Sequence, residues 1–102
     1  MEITKDEIIL FKDIKQVILC YFNIYNTDIY SKRGKKPSYT ARMLIYYILH
    51  CEYKLSISKT AFLMHKTPRN IQRCIANTKF RINHYEDCKK EYEDILSIIS
   101  SK

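Results

Sequence analysis

A small all-α bundle is the fold this sequence predicts, and three observations carry that prediction. The chain of 102 residues holds a single Gly and two Pro. Its apolar residues recur at steps of three and four, the spacing of one helix face. Its composition, 46% hydrophobic and 28% charged, suits a chain that buries a core and does not stay disordered. The length accommodates one domain, residues 1–102, and is too short for two.

The first helix is expected over Asp6 to Tyr25, where Ile8, Phe11, Ile14, Ile18, Tyr21 and Tyr25 fall on one face. Thr27-Asp28 offers a new cap before a short turn at Ile29-Tyr30. The segment 31–38, Ser-Lys-Arg-Gly-Lys-Lys-Pro-Ser, holds the single Gly and the first Pro and reads as a basic loop. Ser38 is then positioned to cap a helix carrying Ala41, Leu44, Ile45, Ile48 and Leu49, ending near Glu52 to Lys54.

Ser56 or Ser58 caps a short helix that runs through Met64. A polar break follows at His65-Lys66, and Thr67-Pro68 opens another helix with Pro at its first position, where the missing N–H costs little. The stretch Lys79 to Asn83 is expected to link to a last helix over 84–100. That helix carries a heptad-like seam of Tyr85, Cys88, Tyr92, Ile95 and Ile99. About two heptads favour packing on the chain's own core over a coiled-coil dimer, although self-association through this helix stays open.

The two short helices fit a helix-turn-helix over 56–77. Ala61 is small where the helices would cross, and Met64, Ile71 and Cys74 fall at inward positions. On the second helix Ile71, Cys74, Ile75 and Thr78 share one face, which leaves Arg69, Asn70, Arg73 and Asn77 on the other. Arg can pair bidentately with guanine and Asn with adenine in the major groove, and the positive end of the helix favours a phosphate. Lys59, Lys66 and Thr67 join these as candidate DNA-contacting residues.

Charge points the same way. Residues 31–81 carry twelve basic side chains against Glu52 alone, whereas residues 1–30 and 82–102 are each mildly acidic. The net charge of +7 is therefore focused in the middle of the chain, as expected of a polyanion binder.

Several chemistries lack support. Cys20, Cys51, Cys74 and Cys88 contain no C-x-x-C pair, and a zinc site from Cys74, His84 and Cys88 would lack a second close ligand pair, so buried reduced thiols and no metal are expected. No carboxylate cluster or Ser-His-Asp arrangement is visible, and His50, His65 and His84 show no evident partners. The chain is accordingly read as a non-enzyme with no cofactor and no small-molecule substrate. No apolar run approaches the roughly 20 residues of a membrane span, and the acidic start Met1 to Glu7 is unlike a signal peptide. A cytoplasmic location follows, in a bacterial nucleoid or in a host cytoplasm if the source is a phage. The richness in Ile, Lys, Tyr and Asn suggests an AT-rich genome such as that of a phage or mobile element.

From about Val17 through Phe80 the sequence resembles the C-terminal DNA-binding domain of the bacterial replication initiator DnaA, of the Trp-repressor-like helix-turn-helix group. The resemblance rests on a helix with Val17 and Tyr21, the Asp28-Ile29-Tyr30 turn, Ser31-Lys32-Arg33 with further basic residues, Ala41-Arg42-Met43, and Leu55-Ser56-Ile57 leading into the paired helices. It implies that Lys32, Arg33, Lys35 and Lys36 lie on the DNA backbone and minor groove, that Arg42 contacts a nearby phosphate, and that the second paired helix enters the major groove.

The sequence departs from the family at its signature. Where the family has Gly-Gly-Arg-Asp-His-Thr-Thr-Val, this chain has His65-Lys66-Thr67-Pro68-Arg69-Asn70-Ile71, so a different DNA target is expected. Against the common helix-turn-helix pattern, His65 stands where the turn usually has Gly, and Lys66 where an apolar residue is usual. No G-x-x-x-x-G-K-[ST] run for an ATPase is present. The expected partner is double-stranded DNA, with a role in transcription or replication, and a replication or transcription protein as a possible second partner. The alternative is a helical protein-interaction module that uses the nine tyrosines and the terminal helix.

Overall fold

The computed structural model describes residues 3–25 and 36–101, with side chains from residue 39 onward in the second span. Five α-helices and one π-helical turn make up the regular structure of these residues, with no strand among them. The all-α bundle expected from the sequence is the observed fold.

Helix α1 spans Lys5–Phe22. Thr4 caps it in a reciprocal box: its hydroxyl accepts from the Glu7 backbone N–H (3.1 Å), and the Glu7 carboxylate accepts from the Thr4 N–H (2.9 Å). Phe11, Ile14, Val17, Ile18 and Leu19 are buried along its inner side. The helix stops before the expected Tyr25. Asn23 takes the left-handed conformation (φ 54°), its N–H donates to the Cys20 carbonyl, and that of Ile24 donates to the Leu19 carbonyl. This Schellman closure needs a residue that tolerates positive φ, which Asn does. Tyr25 is left 80% exposed.

Helix α2 spans Lys36–Tyr47. It begins two residues before Ser38, so the expected loop 31–38 does not reach its full length and Ser38 is not the cap. Pro37 sits in the first turn, where a residue without an N–H fits. The expected Thr27-Asp28 cap, the Ile29-Tyr30 turn and loop residues 31–35 lie outside the described residues. The helix passes into a π-helical turn, Ile48–Glu52, in which the Tyr53 N–H reaches back to the Ile48 carbonyl (3.3 Å). Lys54 then takes a positive φ of 61°, and the chain turns to bury Leu55.

Helix α3, Ile57–Met64, is capped by Ser56, whose hydroxyl accepts from the Lys59 N–H (3.1 Å). Helix α4, Pro68–His84, is capped by Thr67, whose hydroxyl accepts from the Asn70 N–H (3.2 Å). It continues through residues 79–83, where a linker was expected. Ile82, buried at 8% exposure, extends the inner face of Ile71, Ile75 and Thr78 by one more turn, and that burial carries the helix onward. Tyr85 alone, in extended conformation, separates α4 from α5, Glu86–Ser100.

The core joins all of these elements. Helix α2 packs between α1 and α4, α3 packs on α4, and α5 packs on both α4 and α1. Along the expected α5 seam, Ile95 is fully buried, Tyr92 and Ile99 are partly buried, and Tyr85 is exposed. The seam is therefore occupied mainly by the chain's own core. Tyr21 donates to Asp94 (3.2 Å) and Tyr92 to Glu52, which tie α5 to α1 and to the π-helical turn. Buried Thr60 and Thr78 donate to the carbonyls of Ser56 (3.0 Å) and Cys74 (2.7 Å), and among the described residues no buried side-chain polar atom lacks a partner. No described helix is long and apolar enough to cross a membrane.

Candidate nucleic-acid interface

The connection between α3 and α4 is short and closed by backbone geometry. His65 adopts the left-handed conformation (φ 56°, ψ 43°), its N–H donates to the Phe62 carbonyl (3.3 Å), and the Lys66 N–H donates to that of Ala61 (2.9 Å). This is the Schellman turn that Gly usually forms, here built with His. Ala61 (2% exposed), Met64 and Ile71 are buried and Cys74 is half-buried, as the register over 56–77 requires.

With its inner face fixed by Ile71, Thr78 and Ile82, α4 presents Arg69, Asn70, Arg73 and Asn77 to solvent. Gln72 and Ala76 are exposed as well. No Asp or Glu occurs between Tyr53 and Tyr85, so neither α3 nor α4 carries an acidic side chain. Asn70 accepts from the Cys74 thiol (3.7 Å), which aligns its amide along the helix.

Other candidates are placed differently. Arg42 is 8% exposed on α2, so it offers little surface to a phosphate; its neighbours in sequence, Ala41 and Met43 to Tyr46, are all buried, and the helix carries it into the interior with them. Lys59 is engaged with the Glu7 carboxylate at 2.8 Å, the one ion pair among the described residues. Thr67 remains exposed, but its hydroxyl is committed to the cap. Lys66 lies half-buried in the turn. Lys36 opens α2, and Lys32, Arg33 and Lys35 lie outside the described residues.

Burial pushes the Cys74 thiol above its ordinary range, while Arg42, Lys66 and Arg73 pull it down. The half-buried thiol thus feels cations from α2, the turn and α4. A protonated thiol there is a packing group, not a nucleophile.

The histidines without evident partners in the sequence have them in the fold. His50 donates through Nδ1 to the Leu55 carbonyl (2.7 Å) and His84 to that of Phe80 (2.9 Å). Among the described residues no three His, Cys, Asp or Glu side chains are grouped to hold a metal ion.

Sequence reasoning missed the exposed aromatics Phe62 on α3 (64% exposed) and Phe80 on α4 (53%), and Tyr85, expected in the terminal seam, is exposed as well (57%). Phe80 and His84 stack with ring centroids 4.0 Å apart and planes 15° from parallel. Their spacing of four was the available signal, hidden by the expectation of a linker over 79–83. No family model and no curated protein matches the chain.

Proposed function

We propose that the chain binds double-stranded DNA, with α3 and α4 acting as a helix-turn-helix and α4 entering the major groove. The observation that carries this reading is the exposed face of α4, where Arg69, Asn70, Arg73 and Asn77 stand together on a helix pair devoid of acidic side chains. Such a face suits base edges and phosphates. Lys32, Arg33, Lys35 and Lys36 supply the second half of the grip, on the backbone and minor groove, in the manner of the DnaA domain that the sequence resembles. The biological role is regulation of transcription or replication.

The exposed aromatics Phe62, Phe80 and Tyr85 favour a second reading, a helical protein-interaction module. Selection of bound fragments from random duplex DNA separates the two. Enrichment of a defined sequence supports the first, and no enrichment at low salt overturns it. On the enriched site, Arg69→Ala and Arg73→Ala each cost roughly 1–3 kcal/mol and relax specificity, whereas Lys35→Ala weakens all sequences alike. Equal losses on every sequence for all three variants would remove base readout from the account.

A further inference from the structure

The exposed face of α4 changes chemistry along its length. Arg69, Arg73, Phe80 and His84 follow one another at steps of four, seven and four, which sets them on one side of the helix. The first half is basic and polar. The second half ends in the Phe80–His84 stack, with both residues exposed and the pair nearly parallel. Two rings so arranged cover one face of each other, and both residues remain exposed to solvent. The Nδ1 bond of His84 to the Phe80 carbonyl holds its ring in register with the helix.

A pair of this kind on a core-facing surface would be packing. Here it is half-open to water, and the α4 surface leading to it carries Arg69, Arg73 and Lys79 with no acidic residue. Glu86 and Asp87 begin the next helix just beyond it, so the acid-free stretch lies toward the arginine end. At the aromatic end, the nucleic-acid group that the surface can accept is therefore the flat face of a base. A paired base within a duplex does not offer that face, and an unpaired one does.

We infer that the Phe80–His84 platform stacks on an unpaired base next to the duplex held by the first half of α4, so that the chain prefers a duplex with a single-stranded extension over a blunt one. This rests on the reading of the α4 face as the DNA-contacting surface, and it adds the structure of the preferred substrate.

The test is fluorescence anisotropy at low salt with three probes: a short blunt duplex, the same duplex with an oligothymidine overhang, and that overhang made abasic. The overhang should bind about 5- to 150-fold tighter than the blunt end, the range for gaining a stacked base, and the abasic overhang should lose that gain. Phe80→Ala should erase the advantage of the overhang over the blunt duplex, and Phe80→Trp should retain it. Equal affinity for all three probes, or an equal loss on all three with Phe80→Ala, overturns the inference while leaving duplex binding intact. Binding to none of them overturns the duplex reading as well. The abasic comparison uses the unaltered protein, so it decides even if a variant folds poorly.

Discussion

At the scale of single residues, the ion pair between Glu7 and Lys59 shows how one side chain can serve two elements. Glu7 completes the cap of α1 and holds Lys59 on α3, and these bonds, that to Lys59 foremost, lower its carboxyl below the usual 4.5. Because the folded state holds the lower value, the stabilisation is present above about pH 4.5 and fades as pH falls through the folded-state value. Glu7→Gln should therefore lower the melting temperature at neutral pH, with the gap from the unaltered protein narrowing below pH 4.5 in thermal melts. A gap that does not change with pH would remove the Glu7 charge from the account. Releasing Lys59 is also expected to strengthen non-specific DNA binding slightly, since one more cation becomes available to phosphate.

Other residues mark where sequence reading reached its limit. His65 was legible as a departure from Gly, and the backbone adopts the left-handed turn regardless. Arg42 was not legible as buried, because nothing local distinguishes an arginine that α2 carries inward from one that it leaves in water. The aromatic pair at Phe80 and His84 was hidden for a related reason: its spacing has meaning only once α4 is known to run that far.

At the scale of elements, caps and periodicity located most boundaries. Ser56 and Thr67-Pro68 were readable because a hydroxyl at the cap and a Pro at the first position are local chemistry. The same rule, Thr4 with Glu7 three residues later, sets the start of α1 at Lys5, one residue before the expected Asp6. The π-helical turn at Ile48–Glu52 has no comparable signature, since its extra residue per turn answers to packing around it. The extension of α4 to His84 depends on Ile82 meeting the core, a tertiary event.

The Thr67 cap lets element stability be separated from binding. Thr67→Ala should cost about 1 kcal/mol of stability by urea unfolding, whereas Thr67→Asp keeps a capping oxygen and should be near neutral. Thr67→Asp also brings a negative charge to the candidate interface, so it should weaken duplex binding without destabilising the fold. Unchanged affinity in that variant would move the interface away from the start of α4.

At the scale of the whole molecule, the fold sorts charge. The acid-bearing helices α1 and α5 pack against each other, and the acid-free pair α3 and α4 packs together, with α2 between α1 and α4. Five of the twelve basic residues of 31–81, Lys59, Arg69, Arg73, Lys79 and Arg81, thus sit on that acid-free helix pair. A focused cationic surface of this kind gains affinity for DNA chiefly by releasing counterions, and that gain has a defined dependence on salt.

The salt dependence of duplex binding is the most direct measure of the central claim. With about five to eight phosphates neutralised, a plot of log K against log salt concentration should be linear with a slope of about −4.5 to −7. A flat plot, or no binding to duplex DNA at low salt, would contradict it.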